Sequence, residues 1–275
     1  MTPPFAPPGR TDFHSHLVPG VDDGAREPAD SERALERFRA EGVGQVITTP
    51  HFMGSLTLSP SHLEKRLAEL DAGWETLERV ARDDAARHGS ALRVERGVEV
   101  MLDVPEPDLS DARLRLAGGP FVLVEYHGLQ LPPNAEFAII GLRRQGWRPV
   151  IGHPERYREL APSMTQLVRL REAGAFFQVN AGSLFGVYGR TAAAHARTVL
   201  AAGWADYLSS DYHCRGEPGV ARSAGLLAAE GFSEQAELLS VINPGRLLRG
   251  DDPLPVPPLQ TREARPWWAR LLGRR

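Results

Sequence analysis

Short apolar runs recur along the chain, separated by longer stretches whose apolar residues fall at helical spacing. The runs at 12–16, 45–48, 92–98, 121–124, 149–151, 175–180 and 205–208 predict seven strands. Between the first two, 28–41 carries Ala34, Leu35 and Phe38 at helical spacing and stops at Gly42. The longest helix is expected to begin with Ser59 as its cap and Pro60 as its first residue. Leu63, Leu67, Leu70, Trp74 and Leu77 then form one stripe, which reads as core packing rather than a partner-binding face. Further helices are predicted over 134–144, 163–173 (Met164, Leu167 and Leu170 inward), 191–202, 219–230 and 233–240.

Strands that alternate with helices call for a parallel sheet, and nearly continuous apolar strands fit burial on both faces. Polar residues collect at the C-terminal ends of six of the strands. A closed or distorted barrel explains that better than an open sheet, which would gather them at one switch point. The expected organisation is a disordered proline-rich leader (1–10), one α/β domain (11–250), and a stiff proline-rich linker with a Trp/Arg tail (251–275). In the tail, Trp267 and Trp268 stand beside arginines. Residues 262–275 are therefore a candidate contact with a membrane surface or a partner, or else a segment that folds back on the domain or is disordered.

Composition narrows the function. Hydrophobic residues make up 42% of the chain, enough for a sizeable core, and the net charge is −3. The mixed charge argues against a nucleic-acid surface. The single cysteine, Cys214, rules out an internal disulfide. Neither a signal peptide nor a membrane span is expected, which fits a cytoplasmic protein. A cysteine-dependent phosphatase needs an arginine six positions after its nucleophile, but Val220 stands there after Cys214. No phosphate-cradling G-x-x-x-x-G-K-[ST] loop is present.

The candidate chemistry lies at the strand ends. His14 and His16 alternate with Ser15, so both side chains face one way and can share a divalent metal. The next loop brings Asp22 and Asp23. Later strand ends bring His51, Glu99, Glu125, His153, Asp211 and His213. Imidazole and carboxylate together suit zinc, manganese or iron better than calcium or magnesium alone. Without Asp22, nine such groups exceed the needs of one metal and suffice for two or three with a bridging carboxylate. His62, His88 and His195 fall on predicted helices and are expected to be solvated; His127 is a candidate lining of the cleft.

Read together, Asp12-Phe13-His14-Ser15-His16, Val21-Asp22-Asp23-Gly24, Thr49-Pro50-His51, Gly97-Val98-Glu99, Val124-Glu125, His153-Pro154-Glu155-Arg156-Tyr157 and Ser210-Asp211-Tyr212-His213 resemble the PHP (polymerase and histidinol phosphatase) superfamily. The Asp-Asp-Gly and H-x-E-R-Y runs resemble more narrowly its bacterial protein-tyrosine phosphatases of capsule and exopolysaccharide operons. The resemblance spans about residues 11–248.

It implies a distorted (β/α)7 barrel holding three divalent ions, usually manganese, with iron or zinc compatible with the donors. By the family pattern His14, His16, Glu99 and Asp211 would hold the first ion. Glu99 as bridge, Glu125 and His153 would hold the second, and Asp23, His51 and His213 the third. Arg156 matches the phosphate-binding arginine. Arg215 is carried as a second basic residue, with Arg222 as the other candidate. Asp22, outside the ligand set, is a candidate proton donor to the leaving group. The implied substrate is the phosphotyrosine tail of a bacterial tyrosine kinase that governs polysaccharide synthesis. The alternatives are another PHP phosphoesterase, acting on histidinol phosphate or a nucleotide, and a non-catalytic, metal-stabilised kinase adaptor.

Overall fold

The structure, a computed structural model, describes residues 9–89, 92–161 and 163–259. Most of the expected leader and the whole Trp/Arg segment lie outside the described residues. The chain runs through β1 (Arg10–Asp12), α1 (Pro28–Ala40), β2 (Val43–Thr48), β3 (His51–Met53), α2 (Pro60–His88), β4 (Arg93–Arg96) and β5 (Glu99–Met101). It continues through β6 (Phe121–Glu125), α3 (Glu136–Arg144), β7 (Arg148–Gly152), α4 (Thr165–Glu172), β8 (Phe176–Asn180), α5 (Gly189–Ala201) and β9 (Tyr207–Ser209). The helices α6 (Val220–Ala229), α7 (Ser233–Glu237) and α8 (Asn243–Leu248) close it.

All pairings are parallel, in two sheets ordered β1-β2-β4 and β3-β5-β6-β7-β8-β9. The split falls just after the second expected strand and at the end of the third. Pro50 has no N–H to donate, so the ladder breaks after Thr48 and resumes at His51. The N–H of Gly97 to the Thr48 carbonyl (3.0 Å) and of Glu99 to the Pro50 carbonyl (3.1 Å) bridge the break. At the other seam, Asp211 donates to the His14 carbonyl (2.8 Å) and His16 to the Tyr212 carbonyl (2.9 Å). With β2/β3 and β4/β5 each taken as one broken strand, seven positions follow in chain order and return to the first. The parallel α/β architecture is as expected, and its strand order is that of the expected distorted (β/α)7 barrel, split into two sheets at these seams.

Apolar side chains fill three clusters. Phe13, Ile47, Phe121, Leu123, Val150 and Tyr207 pack with Leu247 of α8. Leu35 and Phe38 of α1 pack with Leu77 of α2, while Leu67 and Leu70 of α2 join the largest cluster, as the stripe requires. Each such fully buried side chain contributes about 1.5–3 kcal/mol relative to exposure. Among the described residues, no helix is long and apolar enough to cross a membrane.

Three expectations need correction. Ser59 is the N-cap residue of α2 and Pro60 its first residue, as expected, but the Ser59 side chain makes no capping bond; Leu63 N–H is held by the Ser59 main-chain carbonyl at 2.9 Å. Arg10 is the first residue of β1 rather than the end of a leader. Residues 251–259 are not a free linker. Asn243 bonds both main-chain groups of Leu254 (2.8 and 2.9 Å), and Val256 and Leu259 are buried. The prolines stiffen a strap along the domain.

Candidate metal centre

The structure brings together all nine expected ligand residues where the two halves of the barrel meet. His14 Nε2 lies 3.2 Å from Glu99 Oε1 and 3.3 Å from Asp211 Oδ1. His16 Nε2 lies 3.5 Å from Glu99 Oε2 and 3.4 Å from Asp211 Oδ1, so these four residues converge as one buried group. Beside it, His51 Nδ1 is 3.1 Å from Glu99 Oε2 and 3.3 Å from Glu125 Oε1. His153 Nε2 reaches the same pair, at 2.9 Å from Glu99 Oε1 and 3.7 Å from Glu125 Oε2. A third group forms around Asp23 Oδ1, 3.4 Å from His51 Nε2 and 3.2 Å from His213 Nε2, with His16 adjoining. Compared with the family pattern, His51 therefore sits between two groups and His16 touches two.

The surroundings fix which nitrogen three of the imidazoles present. Gln178 donates its amide to Asn180 Oδ1 (2.9 Å), so its Oε1 accepts from His14 Nδ1 (2.8 Å). Asp22 Oδ2 accepts from His16 Nδ1 at 2.8 Å, and the Asp211 carbonyl from His213 Nδ1 at 2.9 Å. Each bond leaves an Nε2 lone pair facing the cluster, the usual arrangement behind a metal-ligating histidine.

The donor set fits cations. His14 Nε2, His16 Nε2, His51 Nδ1 and Glu99 Oε2 are buried without a hydrogen-bond partner. Each such orphan costs about 1–3 kcal/mol, and four in one place require a common partner. The protonation balance says the same. Burial opposes a charged imidazole, yet Asp211 and Asp22 raise His16 to about 9, and Glu125 and Glu99 raise His51 to about 11. Burial likewise resists ionisation of Glu99, but His14 and its neighbours hold that carboxyl well below its ordinary range. The cluster attracts positive charge, and divalent ions answer that with neutral imidazoles.

Glycines make the approach feasible. A Cβ on Gly24 would overlap the carbonyl oxygen and Cβ of His16, so only glycine lets this turn press against the segment that carries His14 and His16. A Cβ on Gly152 would lie 3.2 Å from both Glu99 Oε1 and His14 Cε1.

The other expected residues divide. Arg156 borders the cluster in the turn Pro154–Arg156, with Nη1 2.5 Å from Asp211 Oδ2 and Cζ 4.2 Å from the centre of the Tyr188 ring. Arg156 and Arg215 line one cavity of about 300 Å³, and Arg215 donates to the Asp23 carbonyl at 2.9 Å. Arg222 instead stacks on Phe185, 3.9 Å from the ring centre. Asp22 is not a spare proton donor. Its oxygens accept from His16 Nδ1, the Gly24 N–H (3.0 Å) and the His51 N–H (3.1 Å). Burial alone would raise its pKa, but His16 and these N–H groups lower it to about 2, so it is ionised at neutral pH.

His127 stays out of the cluster, its Nδ1 against Met101 Sδ at 3.3 Å. Burial pushes the Cys214 thiol up to about 12, consistent with an inert residue. The sequence reading missed Gln178, Asn180 and Tyr188. Gln178 and Asn180 did leave a signal: two polar residues on one face of an otherwise apolar strand.

Known proteins resemble this chain over most of its length. Residues 10–249 match the family described as capsular polysaccharide synthesis, CpsB/CapC. Tyrosine-protein phosphatase YwqE of Bacillus subtilis (strain 168) is 30% identical over 206 residues, covering 74% of this chain and 76% of that protein. Tyrosine-protein phosphatase CpsB of Streptococcus pneumoniae is 25% identical over 246 residues, covering 86% and 97%. A solved structure from work on these two proteins, described as metal-dependent tyrosine phosphatases, superposes with a TM-score of 0.71 at 26% identity. It covers 90% of this chain and 98% of that one. The chain thus belongs to the CpsB/CapC family of capsular polysaccharide synthesis.

Proposed function

We propose that the protein is a metal-dependent protein-tyrosine phosphatase. The observation that carries this reading is the set of four partnerless buried donor atoms meeting beside an arginine fork. The three groups would hold three divalent ions, manganese by the family pattern, with Glu99 shared between two of them. Such ions supply positive charge for the phosphoryl oxygens and acidify water near neutral pH.

The chain's own residues do the rest. Gln178 and Asp22 keep the imidazoles of His14 and His16 turned toward the cluster. Arg156 would grip phosphoryl oxygens with its planar fork, which Asp211 and Tyr188 hold at the rim. Arg215 lies on the same cavity wall and would add a second positive charge. Asp22 acts as a positioning residue and carries no proton to give. A phenolate leaving group, with a pKa of about 10, needs less acid assistance than an alkoxide would.

The proposed substrate is the phosphotyrosine tail of a bacterial tyrosine kinase that governs capsule or exopolysaccharide synthesis. The family's description and the names of the relatives support it. Turnover of a phosphotyrosine peptide against histidinol phosphate tests the choice. The peptide is expected to be preferred by at least about tenfold in kcat/KM. Preference for histidinol phosphate would move the protein to the small-molecule branch of the superfamily. Peptide binding without phosphate release by metal-loaded protein would make it an adaptor.

A further inference from the structure

A second cavity opens beside Arg156. It measures about 450 Å³, and Leu129, Arg158, Leu160, Thr191 and His195 are among the residues lining it. Arg156 and Tyr188 border both this cavity and the one above the metal centre. A phosphoryl group at the metal centre makes no use of the second volume.

We propose that this cavity is the subsite for the peptide flanking the phosphotyrosine, binding its backbone and one apolar side chain. The proposal rests on the phosphatase reading above. An extended peptide presents N–H and C=O groups alternately, so its site must offer both acceptors and donors. His195, expected to be solvated, is half-buried here, with Nδ1 3.2 Å from the carbonyl oxygen of Glu155. A carbonyl only accepts, so Nδ1 carries the hydrogen, and in the neutral form of the ring Nε2 is the acceptor. Thr191, exposed in the first turn of α5, offers a hydroxyl, and exposed Arg158 offers a cationic donor. Half-buried Leu129 and Leu160 supply the apolar wall.

The partition between the two cavities is built to stay in place. The buried carboxylate of Glu155 accepts from Ser183 Oγ (2.6 Å) and the Asn180 N–H (3.0 Å), tying the loop after β8 to the turn that carries Arg156. Gly182 leaves the space that Tyr188 needs, since a Cβ there would lie 3.2 Å from Tyr188 Cε2. A chain leaving the phosphotyrosine therefore meets a fixed wall with the second cavity directly behind it. A small phosphomonoester has nothing to place there.

Thr191→Trp, at an exposed position, fills the cavity, and His195→Ala removes the acceptor. Both are compared with the parent protein on a phosphotyrosine peptide with several residues on each side, and on p-nitrophenyl phosphate. The KM for the peptide is expected to rise about fivefold or more in each variant, while kcat/KM for p-nitrophenyl phosphate stays within about twofold. Unchanged peptide kinetics in both variants overturns the proposal. So does a parallel loss on the two substrates. If the parent hydrolyses neither substrate, it is the phosphatase reading that has failed. Phosphopeptide affinity, read by fluorescence anisotropy, then judges the cavity: weaker binding by Thr191→Trp supports it and equal binding overturns it.

Discussion

Glu99→Gln is expected to lower turnover of a phosphotyrosine peptide by about 10³-fold or more, roughly 4 kcal/mol of barrier. It is also expected to remove more than one equivalent of bound metal. The reason is the position of this carboxylate. Oε1 faces His14 and His153 at 3.2 and 2.9 Å, and Oε2 faces His16 and His51 at 3.5 and 3.1 Å. Four of the five imidazoles in the cluster thus converge on one side chain. Glutamine keeps the shape but loses the charge and turns a donor group toward nitrogen lone pairs, so two neighbouring groups lose their common anion. Elemental analysis with a turnover assay on the same preparation reads both effects. Full metal occupancy in the variant would contradict the bridging role.

Arg156→Ala is expected to lower kcat/KM by about 10²- to 10³-fold, the usual size for losing one preorganised donor to a developing anion. Metal content should be unchanged, because Arg156 approaches Asp211 through Oδ2 while Oδ1 faces His14 and His16. Asn180 Nδ2, 2.9 Å from the same Oδ2, keeps Asp211 oriented after the arginine has gone. Lysine should restore little, since it lacks the planar fork that spans two oxygens. Inhibition by inorganic phosphate should weaken in step. Metal loss in Arg156→Ala would show that the residue acts structurally rather than on the substrate.

These expectations rest on parts of the chain that differ in how openly they can be read. The period-two spacing of His14 and His16 is local and leaves little choice of face, and the strand-end histidines and carboxylates follow from strand limits marked by apolar runs. The break in strands two and three was harder to see. Its cause, a proline lacking an N–H beside a strand that reaches Gly97, acts between segments far apart in sequence. Asp22 looked available because a sequence cannot show that His16 Nδ1 and two main-chain N–H groups already occupy it. His195 sits on a helix whose exposed side the spacing marks as solvent, yet that side faces a cavity made by the turn after β7. The strap at 251–259 was masked by its prolines, although Val256 and Leu259 were apolar residues with no place in a free linker.

The decisive measurement is the divalent metal content of the protein purified without chelator, taken together with its phosphotyrosine phosphatase activity before and after chelation. More than one equivalent per chain is expected, with activity lost on chelation and regained when manganese is returned. Full activity from protein holding far less than one equivalent would contradict the metal-centred reading of these nine side chains.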